Sequence, residues 1–207
     1  MARVVNIHPE NPQTRLLAQA VEFIRQGAIV ALPTDSCYAL GCHLGDKEAL
    51  DRIRAIRQID DRHHLTLMVR DLSQIATYAR VDNAQYRMLK AATPGSYVFI
   101  LEGSKELPRR VMHPKRKTIG LRIPDHPVAL ALLEELGEPL LTCTLQLPGD
   151  EAPLTEGWEI QDRLDDHIEW ILDAGYCGTE PTTVIDLTGP SPELVRAGRG
   201  PLEPFGL

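Results

Sequence analysis

Eight side chains spread along the chain could together hold an anion: Thr34, Arg57, Thr118, Arg122, Thr142, Thr144, Thr183 and Arg196. A guanidinium is a planar fork that matches two oxygens of a phosphate or carboxylate, and threonine hydroxyls add directional hydrogen bonds. Neither GxxxxGK[ST] nor GxGxxG occurs, so the two common backbone cradles for nucleotide phosphates are missing and side chains must do the holding. Each residue also has an ordinary structural use. Threonine is a good strand former, Arg57 suits the negative end of a helix, and Arg196 could pair with a surface acid. Convergence in space separates the two readings.

The stretch Pro33 to Cys42 follows the apolar run Ala28-Ile29-Val30-Ala31-Leu32 and holds hydroxyls, a carboxylate and the Tyr38 ring. It reads either as a binding loop at the rim of a sheet, where α/β proteins hold ligands, or as a plain strand-to-helix connection. Cys37, Cys42, Cys143 and Cys177 form no CxxC pair, and the Cys37/Cys42 spacing is loose for a zinc knuckle even with His43 adjacent. They read as reduced core thiols, and no metal site is expected. Cys37 or Cys143 as a nucleophile would need a histidine that the sequence does not place.

The net charge of −7 argues against a general polyanion binder, but it hides a lopsided distribution. Between Lys105 and Arg122, seven bases face the single acid Glu106, whereas from Glu134 to Asp173 twelve acids face only Arg163. The exposed part of the basic stretch, Arg109, Arg110, Lys115, Arg116 and Lys117, is therefore the candidate RNA-contacting segment, with a solvated loop as the alternative.

These residues need a frame. The chain has 207 residues, 43% hydrophobic and 25% charged, enough for one sizeable core, and no linker divides it, so one domain over 1–207 is expected. There is no signal-peptide stretch and no run of eighteen apolar residues, which predicts a soluble, cytoplasmic protein. Helical spacing and Asn11-Pro12 predict a first helix ending at Gly27, and Asp46 starts a second that ends near Arg57. Asp71 and Asp82, each followed three residues on by Gln74 and Gln85, predict two capping boxes. Asp125 opens a helix that Gly137 closes. A polar helix precedes the segment 168–172. Strands are predicted at 28–32, 65–69, 97–101, 119–123, 140–144, 182–187 and 194–196. Interleaved helices and strands without repeats predict an α/β (α+β) architecture, a mixed sheet with covering helices.

Several of these segments also resemble a known family. Pro33-Thr34-Asp35-Ser36-Cys37-Tyr38-Ala39-Leu40-Gly41, Thr93-Pro94-Gly95, Gly120 to Pro127, Thr182 to Leu187 and Arg196-Ala197-Gly198 together look like the YrdC/YciO family, with the first loop worded as in its YciO branch. The resemblance implies a twisted mixed sheet with surrounding helices and a concave basic face linked to nucleotide and double-stranded RNA (tRNA or rRNA) binding. In the synthase branch, L-threonine, bicarbonate and ATP become threonylcarbamoyl-AMP and pyrophosphate for tRNA modification. ATP, with Mg²⁺ on its phosphates, is the implied co-substrate.

Carried across, Thr34 and Tyr38 match the loop that handles the amino acid, and Thr183 and Arg196 match groups near the phosphates. The family's Lys-x-Arg falls on Arg57-Gln58-Ile59, so the second cation becomes apolar; its Ser-x-Asn falls on Thr144-Leu145-Gln146. Losing one charge-assisted contact costs about 2 to 4 kcal/mol of transition-state stabilisation. The implied function is nucleotide and RNA binding with weakened or altered synthase activity. The alternatives are RNA binding without chemistry, or removal of the threonylcarbamoyl group from adenosine in RNA. Arg62, His63 and His64 follow closely enough to stand in for the missing cation, or to be a surface loop.

Overall fold

The computed structural model describes residues 1–207. One mixed sheet of ten strands takes segments from both ends of the chain, in the order β1-β8-β2-β3-β7-β4-β6-β5-β9-β10. The strands are β1 (Arg3–Asn6), β2 (Val30–Leu32), β3 (Ala39–His43), β4 (Thr66–Met68), β5 (Tyr97–Glu102), β6 (Thr118–Arg122), β7 (Leu140–Thr144), β8 (Trp170–Asp173), β9 (Thr183–Asp186) and β10 (Glu193–Arg196). The helices are α1 (Thr14–Arg25), α2 (Lys47–Arg57), α3 (Leu72–Tyr78), α4 (Asn83–Ala92), α5 (Pro127–Leu136) and α6 (Gly157–Leu164). The expected α/β class is therefore observed.

Both sheet faces are covered, which explains why the central strands read as unbroken apolar runs. Side chains alternate along a strand. Val30, Leu32, Met68 and Leu140 accordingly enter one cluster with Leu17, Val21 and Ile24 of α1 and Val128, Leu132 and Leu136 of α5. Ala31, Leu67 and Leu141 enter a larger cluster on the other face with Leu50 and Ile53 of α2, Ile75 of α3 and Leu89 of α4. Followed further along β4 and β7, the first face carries Thr66, Thr142 and Thr144, which line a cavity instead of packing under a helix. In register across that floor, Thr66 pairs with Thr142 on one side and with Gly120 on the other, and Gly120 pairs with Ile100. A Cβ on Gly120 would come within 2.8 Å of Val98, so the bare position keeps the floor open.

Four local expectations are corrected. The stretch 33–42 is not all loop, because Ala39–His43 forms β3 between β2 and β7. Gly41 sits inside that strand since a Cβ would meet Leu140 Cδ2 at 2.6 Å. Helix α1 begins at Thr14 rather than Pro12. Asn11 instead wraps around His8, donating its amide to His8 Nδ1 at 2.9 Å. Helix α5 begins at Pro127, capped by His126, whose Nδ1 accepts from Val128 N at 3.1 Å, rather than by Asp125. At Asp71 only half a capping box forms, because Gln74 Oε1 accepts from Arg70 N.

The Asp82 box is complete. Its carboxylate accepts from Gln85 N, and Gln85 Oε1 accepts from Asp82 N, both at 2.8 Å. Replacing Asp82 with alanine should cost about 1 kcal/mol, read as a lower urea midpoint at unchanged slope. An unchanged midpoint would contradict this account of the α4 terminus.

Candidate functional site

The cavity has a volume of about 530 Å³, within the range of roughly 300 to 1,000 Å³ usual for small-molecule sites. Its floor is sheet, and its walls come from the end of α2, the 33–38 loop, the 60–64 turn, the 146–153 loop and β10. Seven of the expected site residues meet there: Tyr38, Arg57, Arg122, Thr142, Thr144, Gln146 and Arg196.

The 33–38 loop is wound around one hydroxyl. Thr34 Oγ1 donates to Cys37 O at 2.6 Å and accepts from Ser36 N and Cys37 N at 3.1 and 3.2 Å. This turn presents Asp35 to Arg122 of β6, which forms an ion pair with it and donates to Ser36 Oγ at 3.2 Å. Asp35 also accepts from Ser96 Oγ at 2.7 Å. Arg122 is 5% exposed, and burial pushes its guanidinium below its ordinary value against the pull of Asp35. The Tyr38 hydroxyl donates to Gly175 O at 2.7 Å, tying the loop after β8 to the cavity wall. Burial, then nearby Asp173, push that phenol well up.

Arg57 and Arg196 differ from Arg122 in that their hydrogen-bond partners are neutral. Arg57 Nη1 donates to the Gln146 carbonyl. Arg196 forks onto Thr182, with Nε and Nη2 donating to its carbonyl at 3.1 and 2.8 Å and Nη2 to its hydroxyl at 2.9 Å. Both cations therefore face the cavity without a carboxylate partner. The Nε atoms of Arg57 and Arg122 are buried with no protein acceptor. Unpaired buried donors are costly, so an acceptor brought by a ligand would be favoured here.

Three expected residues stand behind the lining rather than in it. Thr34 serves its own turn. Thr118 Oγ1 holds His64 Nε2 at 2.8 Å. Thr183 is fully buried, donating to Gly200 O at 2.7 Å and accepting from Gly198 N at 3.1 Å. On a strand, neighbouring residues face opposite sides, so Thr182 lines the cavity and Thr183 braces the last turns. Arg62, His63 and His64, named above as candidate stand-ins for the missing cation, line it too, as do Thr66, Glu151 and Thr182, which were not among the expected site residues. The basic run Arg62-His63-His64 carried a legible signal; Glu151 did not.

Cys37 and Cys143 also reach the cavity, but burial raises both thiols, with Cys177 adding to the effect on Cys37. Burial pushes Cys42 up to about 12. Raised thiols make poor thiolates, so the nucleophile reading has no support. No group of three or more His, Cys, Asp or Glu side chains could hold a metal ion. Glu151 is the one carboxylate in the lining, and Asp35 behind it is engaged by Arg122. These donors do not fit a resident Mg²⁺, so the cavity's charge must come from its own arginines.

The basic segment is packed at its base by buried Leu107 and Val111 and exposed at Arg109, Arg110, Lys115, Arg116 and Lys117. It adjoins the cavity through His113, whose ring stacks on His64 at 5.2 Å. Arg110 is drawn toward α2, donating to Gly45 O at 2.7 Å. Arg116 pairs with Asp186 at 3.0 Å. No helix is long and apolar enough to cross a membrane.

Residues 22–198 match the family model for Sua5, YciO and YrdC proteins, described as "Telomere recombination", and the chain belongs to that family. It is 53% identical to the YciO protein of Escherichia coli K12, covering 99% of this chain and 100% of that one. The crystal structure of E. coli YciO superposes with a TM-score of 0.96. The chain is also 31% identical to the threonylcarbamoyl-AMP synthase of Pyrococcus abyssi over 98% of its own length, but spans only 59% of that enzyme. A crystal structure of P. abyssi Sua5 complexed with L-threonine superposes with a TM-score of 0.89 at 29% identity, covering 98% of this chain and 59% of that one. The chain is thus of YciO type and related to threonylcarbamoyl-AMP synthases.

Two tests follow from the site's ion pairs. Asparagine at Asp35 leaves Arg122 buried and unpaired, which should cost about 3 to 5 kcal/mol, and Arg122→Met in the same chain should recover part of it. Equal stability of Asp35→Asn and the native protein would contradict the pairing. For Asp186, burial alone would raise the pKa, but the Thr188 hydroxyl and amide and then Arg116 outweigh it and hold the carboxyl below its ordinary 3.8. The stability this supplies is present above the unfolded value and lost as pH falls through the lower folded one. The stability difference between native protein and Asp186→Asn should therefore shrink from about pH 5 to about pH 2. A constant difference would contradict it.

Proposed function

We propose that the cavity binds an adenine nucleotide and carries out attenuated threonylcarbamoyl-AMP synthesis, and that the exposed basic segment beside it contacts RNA. The observation that carries this reading is the convergence of Arg57 and Arg196, distant in the chain and free of carboxylate partners, on one cavity with threonine hydroxyls. In this reading the carbamate oxygen of threonine attacks the α-phosphorus of ATP and pyrophosphate leaves. Arg57 and Arg196 offset the negative charge that crowds around phosphorus, and Thr142, Thr144 and Thr182 orient the ligand. Mg²⁺ would arrive on the nucleotide phosphates.

Attenuation follows from two positions. Ile59 packs against the apolar core and does not line the cavity, so position 59 supplies no second cation. Gln146 spends its amide on Asp150 O at 2.9 Å. RNA contact is supported by the basic segment's exposure next to the cavity, with Arg109, Lys115 and Lys117 as phosphate ligands and Arg110 and Arg116 partly engaged by the protein. Such binding should weaken steeply with salt.

With ATP, L-threonine, bicarbonate and Mg²⁺, the native protein should release pyrophosphate slowly and only when threonine is present. Arg57→Ala and Arg196→Ala should each lower that rate by about 30-fold to 1,000-fold, the equivalent of about 2 to 4 kcal/mol. Threonine-independent turnover, or rates unchanged by both substitutions, would refute the synthase reading. Salt-sensitive RNA binding without any turnover would favour a binding protein instead.

A further inference from the structure

The turn from Asp60 to His63 brings basic side chains to the cavity from a segment that also contains acids. His63 N donates to Asp60 O at 3.3 Å, and Asp60 Oδ1 accepts from Arg62 N at 2.9 Å. Neither bond uses the His63 imidazole, which stands at the exposed rim and lines the same cavity as Arg57 and Arg196. Ile59, only four residues earlier in the chain, is partly buried and packs against the core. Position 59 therefore brings no cation to the cavity, and the turn that follows brings a permanent one, Arg62, and a titratable one, His63.

We infer that His63 is an anion-binding residue: protonated, it completes a cradle with Arg57 and Arg196 for a phosphate-class group, and the ligand enters together with a proton. This inference rests on the nucleotide reading above and specifies how that site assembles its charge. The groups facing His63 are Arg57 at the end of α2, Arg196 on β10, Asp60 and Arg62 in its own turn, His64 beside it, and Glu151 elsewhere in the lining. In the empty cavity the enclosing wall and Arg57 depress its pKa below the ordinary 6.5, Asp60 pulls the other way, and Arg196 depresses it further. His63 is then largely neutral near neutral pH. A bound anion offsets the two arginines and favours the imidazolium, raising its pKa. Affinity must therefore increase as pH falls from the liganded pKa toward the free one, and level off outside that window.

His64 is held differently. Its Nε2 shares a hydrogen bond with Thr118, and its ring is stacked on His113. Substitution at position 63 alone therefore separates the two histidines.

The test measures equilibrium binding of sulfate and of adenosine 5′-O-methylphosphate, neither of which titrates in the range used, at about pH 5.5 and about pH 7.5. The native protein should bind both about tenfold tighter at the lower pH, the effect of a one-unit rise in the His63 pKa. His63→Gln should bind weakly at both values, and His63→Lys tightly at both. The Cε1 proton resonance of His63 should titrate at higher pH when sulfate saturates the site, a change that a merely structural residue would not show. Binding whose pH dependence is absent, or survives intact in His63→Gln, overturns the inference and leaves the nucleotide reading standing. Failure of both probes to bind the native protein at either pH overturns the two together.

Discussion

The ion pair between Arg122 and Asp35 is the contact on which the site's construction rests. It joins β6, the loop that follows β2 and, through Ser96, the turn that leads into β5. A buried pair gains stability only when its remaining lone pairs and protons are satisfied. Here Ser36 and Ser96 supply much of that satisfaction, leaving the Arg122 Nε proton without a protein acceptor, and Thr34 supplies the turn that aims the carboxylate. With the pair in place, the 33–38 loop lies against the open part of the sheet and the cavity has its inner wall. Arg122 thus neutralises a carboxylate at the floor, and the ligand-facing charge falls to Arg57 and Arg196.

The hydroxyl-bearing residues divide in the same manner. Thr34, Thr118 and Thr183 are buried behind the surface, where they fix a turn, a histidine and the terminal loops. Thr142, Thr144 and Thr182 face the cavity. The divided arrangement fits a site in which bound negative charge is met by preoriented groups at little cost of reorganisation. The proposed departures from the synthase pattern fall on two walls, where α2 runs into the 60–64 turn and in the 146–153 loop.

Much of this was legible in the chain. The caps at Asp46 and Asp82, the Gly137 terminus and the apolar central strands follow from local chemistry, and the structure has them. What escaped depends on tertiary contact. β3 mixes small Ala39 and Cys42 with Gly41 and follows a polar loop without a break, and its two antiparallel neighbours make it a strand. β1 is a short edge strand whose pairing with β8 lies more than 160 residues away in the chain. Thr182 and Thr183 are alike in type, so composition does not say which of them faces the cavity, and a one-residue step exchanges the two faces. Arg57, Thr144 and Arg196 were recognisable as ligand groups by type; that they share a cavity required the fold.

The central claim is that Arg57 and Arg196 converge to receive the phosphate of an adenylate. The most direct measurement is a crystal structure of the protein grown with AMP. The account predicts the nucleotide inside the cavity, with phosphate oxygens about 3 Å from both guanidinium groups. A nucleotide bound elsewhere, or one inside the cavity whose phosphate points away from both arginines, would contradict it.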